Sequence, residues 1–344
     1  MSRFRNVIPS IGLGVAFIFG SGSLAMADSK PDKLVVAAYG GVWEQSVRET
    51  YAACFTEKTG IPVEIMTGES SNWLNQIRAN PENPPIDVLP LGEIDALRAM
   101  HAGLLSKMTA AEVPNLSDIP AQFYEPWDGF AVGDSYGGLG IMYNAEKIKE
   151  PPTTWRELID GIAAGEFGKV AWPSGTYTWG PALLWFVAQQ YDDNIDTAFE
   201  KMKAIKPYVQ KFWTTPVEAL NLFATKEVDL VPYWDGRSFA FINEGNDWVK
   251  FYIPDPGAVG SLTPFAKVKG APQVAWEFIN CTLSPDAQLR MSEILRYPGS
   301  NPTVQYPEDL QNEFTPVDRI AVPPYKEILD KIPEWVERWN KTMR

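Results

Sequence analysis

Histidine occurs once and cysteine twice in this chain of 344 residues, and that scarcity excludes several kinds of chemistry. Without a second histidine or a cysteine cluster there is no donor set for a zinc or haem centre, so no metal or cofactor is expected. Two cysteines cannot build the disulfide framework of a small secreted scaffold. Cys54 and Cys281 leave two readings open, a single bridge or two buried thiols. No Gly-x-Ser-x-Gly elbow is present, and the lone His101 falls inside a helix expected over 93–105, which leaves a Ser-His-Asp triad unsupported. A Gly-Lys-Ser/Thr phosphate loop and an EF-hand loop are also missing. Positive charge is in short supply: 30 Lys and Arg face 43 Asp and Glu, for a formal charge of −13. A surface of that sign repels nucleic-acid phosphates and suits solubility or the handling of small cations. Hydrolysis by paired carboxylates stays open, because acidic residues are too many to exclude it.

What is present begins with an export signal. Arg3 and Arg5 precede a mostly apolar run over 7–20, and Ala25-Met26-Ala27 supplies the small residues that cleavage before Asp28 requires. The run is too short and too glycine-rich to span a membrane, and no cysteine precedes Cys54 to carry a lipid anchor. Removing residues 1–27 from 344 leaves 317, and the loss of Arg3 and Arg5 takes the formal charge from −13 to −15. The mature chain is expected in the periplasm as a monomer. Its length exceeds what one core usually serves, so two lobes are expected.

Along the mature chain, apolar runs alternate with helical periodicity. Leu34-Val35-Val36-Ala37-Ala38 reads as a buried strand ending at Tyr39-Gly40-Gly41. Over 42–58, Val47, Tyr51, Cys54 and Phe55 mark one helix face, closed at Thr59-Gly60. A strand is expected over 61–65, making a βαβ start and parallel pairing. Helices over 71–79 and 93–103 flank a strand over 86–89. A second α/β set has a helix over 155–164, a strand over 170–172, a helix over 181–191 and a strand over 230–233. Amphipathic helices follow over 273–282 and 285–295. Glycine and proline punctuate extended segments over 136–144 and 254–259, which read either as hinge crossings between lobes or as surface loops.

This order of segments resembles the periplasmic solute-binding proteins of ABC importers, and among them the spermidine/putrescine-binding family. The carrying residues are Tyr39-Gly40-Gly41-Val42-Trp43, Phe55-Thr56-Glu57-Lys58-Thr59-Gly60-Ile61-Pro62-Val63, Asp87-Val88, Gly138-Leu139-Gly140-Ile141-Met142-Tyr143-Asn144, Trp234-Asp235-Gly236-Arg237, and Trp276-Glu277-Phe278-Ile279-Asn280 with Leu283-Ser284-Pro285-Asp286-Ala287-Gln288. The resemblance implies a type II periplasmic binding fold. Residues 28–138 and 260–344 would form one α/β lobe and 139–259 the other, with a cleft that closes on a small ligand for delivery to the membrane permease.

The resemblance also implies cleft residues. Trp234 and Tyr297 match positions where aromatic rings hold a polyamine chain, and Tyr39 and Trp43 lie in a loop that supplies further rings. Positions expected to be acidic read instead as Ser174, Tyr177 and Ser261, and another aromatic position reads as Val259. Iron-binding members of the wider superfamily use adjacent tyrosines, and this chain has no such pair. From the residues themselves, Trp43, Trp73, Trp172, Tyr177, Trp179 and Trp234 offer ring surface for an ammonium, with loops at strand ends favoured. Asp235 and Arg237 could read the two ends of a zwitterion, since a guanidinium grips a carboxylate but repels a diammonium chain. The ligand expected is thus an amine-containing solute, either polyamine-like or a zwitterion such as an amino acid or aminobutyrate.

Overall fold

Gly41 turns the chain at φ 74°, so that a helix starts directly behind the first strand. The computed structural model describes residues 31–343, and the export signal expected over 1–27 lies outside the described residues. Strand β1 (Leu34–Ala38) leads into α1 (Val42–Val47), which runs on through a π-type stretch, Arg48–Ala52, into α2 (Ala53–Thr59). Gly60 ends it in the left-handed conformation at φ 67°, the close anticipated from Thr59-Gly60. The chain continues through β2 (Val63–Thr67), α3 (Ser70–Ala79), β3 (Val88–Pro90) and α4 (Glu93–His101). Both β2 and β3 pair with β1 in parallel, as the βαβ pattern requires.

After three short 3₁₀ turns comes β4 (Val132–Asn144), the longest strand. The second set is α5 (Trp155–Ala164), β5 (Val170–Pro173), α6 (Gly180–Gln189), α7 (Ile195–Ile205), β6 (Val209–Trp213), α8 (Pro216–Ala224), β7 (Leu230–Trp234), α9 (Asp235–Asn243) and β8 (Val249–Tyr252). The chain closes with β9 (Ala258–Lys267), α10 (Ala275–Thr282), α11 (Pro285–Leu295), α12 (Glu308–Gln311), β10 (Ile320–Ala321), α13 (Tyr325–Ile328) and α14 (Ile332–Thr342). Side chains fix several starts. Thr154 and Glu157 form a reciprocal capping box on α5, and Asn194 and Thr215 accept from the backbone of Thr197 and Glu218 at α7 and α8.

The strands make one sheet in the order β2-β1-β3-β9-β4-β7-β5-β6, with β10 beside β9 and β8 beside β4. β1, β2 and β3 are mutually parallel, as are β7, β5 and β6, while β4 and β9 are antiparallel to each other and to their other long neighbours. β4 pairs with β9 through Val132 to Leu139 and with β7 and β8 from Leu139 onward.

The glycines of β4 are not loop glycines. They sit in the middle of the sheet and make room for close neighbours. A Cβ on Gly137 would stand 2.6 Å from the Tyr297 ring, and one on Gly140 2.5 Å from Phe251. Trp339 of α14 packs edge-on against Phe212, Arg338 pairs with Asp196, and its guanidinium lies 4.2 Å from the Phe199 ring centroid. The last helix thus contacts elements of the second set, while α13 packs against α4.

Cys54 and Cys281 form a disulfide, which settles the two readings left open by their spacing. It joins α2 to α10 across 227 residues, so the start and the end of the fold are stapled around the inserted second set. Loop-closure entropy makes such a bridge worth on the order of 2–5 kcal/mol. A Cys54→Ala/Cys281→Ala variant should lose about that much in denaturant titration. Unchanged unfolding midpoints would contradict a structural role for the bridge.

Candidate functional site

The C-terminal ends of β1, β5 and β7 meet the middle of β4 and β9 at an aromatic cavity of about 40 Å³. In open parallel sheets this is where ligands bind. Tyr39 and Trp43 come from the turn after β1, Tyr177 and Trp179 from the loop after β5, Trp234 and Arg237 from the β7–α9 junction, and Tyr297 from the segment after α11. Seven of the nine residues expected from sequence thus line one cavity. Ser135, Tyr136 and Gly137 of β4, Ser261 and Thr263 of β9, and Pro216 complete the wall, and of these Ser261 alone carried a sequence signal.

The rings brace one another. Tyr39 lies 5.3 Å from Trp43, 5.2 Å from Trp73 and 5.9 Å from Trp179, centroid to centroid, and Trp179 stands edge-on to Trp234 at 5.5 Å. The Trp234 indole N–H donates to the Tyr177 hydroxyl at 3.4 Å. One hydroxyl ties three strand ends together. Ser70 Oγ bonds the Tyr39 hydroxyl at 2.8 Å and accepts from the Gly92 amide at 3.1 Å. Glu93, fully buried, accepts from the Trp179 indole N–H and from the Leu262 amide, linking the second set to the first.

Two expected residues do not reach the cavity. Trp73 is buried behind Tyr39, and its indole N–H has no partner. Asp235 is turned away from the cleft. Its carboxylate accepts from the amides of Gly138 (2.9 Å) and Gly236 (2.8 Å) and from the Thr315 hydroxyl. Residues two apart on a helix do not share a face, so Asp235 braces β4 while Arg237 turns to the cavity. Arg237 is 6% exposed, and among the described residues it is the only charged one on the wall. Its positive charge acts on the Tyr233 hydroxyl, which donates to Pro216 O at 2.9 Å. No carboxylate lines the cavity.

Behind this wall sit carboxyl groups that burial holds partly protonated. Desolvation raises Asp235 to about 6 and Glu69, Glu93 and Asp134 each to about 7. It also pushes the Tyr39, Tyr177 and Tyr297 hydroxyls well above their ordinary range. A larger groove of about 820 Å³ lies between the 3₁₀ turns before β4 and the stretch from Val317 to Glu327, sharing Tyr136 with the cavity. It is open and has no buried charge converging on it, so the aromatic cavity is the better-built site.

The sheet order and an enclosed cavity at strand ends define the class, a type II periplasmic binding fold built to hold a small solute. Residues 50–315 match the family described as bacterial extracellular solute-binding protein, and the chain belongs to that family. It is a solute-binding protein and not an enzyme, and its family places it in the periplasm or outside the cell. An extracellular solute-binding protein of Bordetella parapertussis has a similar structure, with a TM-score of 0.74 at 27% identity, over 91% of this chain and 99% of that one. The thiamine-binding periplasmic protein of Escherichia coli K12 is 25% identical over 278 residues, 78% of this chain and 80% of its own. A periplasmic protein of Salmonella typhimurium LT2 named for 2-aminoethylphosphonate binding is 26% identical over 256 residues, 70% of each chain. Iron uptake protein A1 of Synechocystis is 29% identical over 167 residues, a match that spans about 45% of each chain.

The buried acids set the direction of the pH dependence. Their native pKa values lie above the unfolded range near 4, so between about pH 4 and 7 the native state binds more protons than the unfolded one. Stability is then highest below that window and is lost as pH rises through it. The melting temperature of the unliganded protein should fall from pH 5 to pH 7.5, and Asp134→Asn should flatten part of the fall. A rise over the same interval would contradict the assignment.

Proposed function

We propose that this chain captures a small zwitterionic amino compound and hands it to the transmembrane permease of an ABC importer. The observation that carries the reading is the buried Arg237 on an otherwise neutral aromatic and hydroxyl wall. A guanidinium in a dry site takes a carboxylate or phosphonate through charge-assisted, bidentate bonds. Aromatic faces add about 0.5–2 kcal/mol each for a nearby cation.

The same residue argues against spermidine or putrescine. A ligand ammonium about 4 Å from Arg237 would cost roughly 4 kcal/mol at an effective dielectric near 20, and a diammonium chain has no anionic end to offset it. The relative named for 2-aminoethylphosphonate supports an anion at one end and an amine at the other.

Release and capture need the cleft to open. We read β4 and β9 as the two crossings between lobes, with 28–138 and 260 onward on one side and 139–259 on the other. The amendment is that α14 rides with the second lobe. Bending of the two strands would part Trp179 from Glu93 and open the wall.

A thermal-shift screen over polyamines, amino acids, betaines and aminophosphonates tests the ligand class. A ligand at 100 times its Kd stabilises by about 2.7 kcal/mol, which is readily seen. Small zwitterions should raise the melting temperature, and Arg237→Ala should weaken their binding by at least about 30-fold, the scale of a lost charged hydrogen bond. A shift with spermidine or putrescine alone, or unchanged affinity in Arg237→Ala, would sink the zwitterion reading.

A further inference from the structure

Glu69 precedes α3 in the loop after β2, next to the Ser70 that bonds the Tyr39 hydroxyl. Its backbone carbonyl starts α3, accepting from the amides of Asn72 and Trp73, but that leaves the side chain without a structural task. The side chain makes no capping bond to α3, and its Oε2 is buried with no hydrogen-bond partner. An unpaired buried carboxylate oxygen is costly in a folded protein and calls for a reason. The groups that sense its charge are Tyr39, Tyr177 and Arg237, all on the cavity wall. Asp95, itself paired with Arg98, is the other carboxylate facing it. Glu69 does not line the cavity but lies just behind its wall, close enough for its charge to act on Tyr39, Tyr177 and Arg237, and it has an acceptor to spare.

Resting on the zwitterion reading of the cleft, we infer that Glu69 is the cation-reading subsite. Its carboxylate takes the ligand's ammonium, or another nitrogen cation, while Arg237 takes the anionic end. The two charges would then select for both ends of the solute and against molecules that carry only one. The cation completes the hydrogen bonding of Oε2. Burial raises Glu69 to about 7, with Arg237 opposing the rise and Asp95 adding to it, and a bound cation would lower it again. Binding near pH 7 should thus release protons, and affinity for an amine should increase as pH rises through 7.

Titration calorimetry with paired probes tests this: 2-aminoethylphosphonate against ethylphosphonate, and 4-aminobutanoate against butanoate. The wild type should prefer each amino probe by at least about tenfold, with a binding heat at pH 7 that varies with the buffer's ionisation enthalpy. Glu69→Gln should cut that preference below about threefold, leave the des-amino probes as tight or tighter, and abolish the buffer dependence. Its unliganded melting temperature at pH 8 should not drop, because the variant removes a carboxyl that burial disfavours. Equal weakening of amino and des-amino probes in Glu69→Gln, or no weakening of either, overturns the inference. The Arg237→Gln variant separates this from the underlying reading. If it leaves all probes unchanged while Glu69→Gln still removes the amine preference, the anion reading falls and the cation subsite stands. If no probe and no polyamine binds the wild type, both fall.

Discussion

Everything in this fold hangs on the antiparallel pairing of β4 with β9. The two strands form the middle of the sheet, and each is claimed by neighbours on both sides. β9 gives its far end to β3 and its near end to β10, while β4 gives its second part to β7 and β8. Two sets of parallel strands are thereby held with their C-terminal ends around a shared floor. The register shift between Gly133 and Tyr136 breaks the strict alternation of that floor, so Ser135, Tyr136 and Gly137 all reach the cavity. The absence of a side chain at Gly137 lets Tyr297 and Asp235 close in from the other side.

Charge is distributed around this floor by burial. Asp235 is taken up by backbone amides that the close approach of α9 to β4 would otherwise leave unsatisfied. Glu93 does similar work between Leu262 and Trp179, and Asp134 accepts from the Tyr51 hydroxyl at 2.6 Å. What remains facing the cavity is a guanidinium, rings and hydroxyls. A chain with a formal charge of −13 thus presents a positive group on the cavity wall, while Asp235 and Glu93 behind it are engaged by backbone amides.

Much of the framework was legible in the sequence because it follows from local rules. The strand at 34–38, the Gly60 stop and the helix over 285–295 appear where periodicity and capping put them. Other elements carried readable signals that apolar periodicity alone passes over. Asn194 before Thr197 and Thr215 before Glu218 mark the starts of α7 and α8, and β6 is a short strand with Gln210 and Lys211 exposed at the sheet edge. The glycines of β4 resemble hinge or loop glycines in one dimension. Their purpose is clearance, and at Gly137, Gly138 and Gly140 the atoms they clear come from residues about 100 or more positions away.

The sequence by itself determined that this is an exported type α/β chain, that rings gather at strand ends, and that Trp234 and Arg237 adjoin one of those ends. Residue type and spacing encode such features through short-range sterics and burial. The tertiary structure decided which charges face the cleft, since two residues two apart on α9 point to different environments. It also decided the Cys54–Cys281 bridge and the company kept by α14, because both depend on contacts between segments far apart in the chain. Glu69 belongs to the same category: only the folded chain sets a carboxylate with an unpaired buried oxygen, from the loop after β2, behind the wall that carries Arg237.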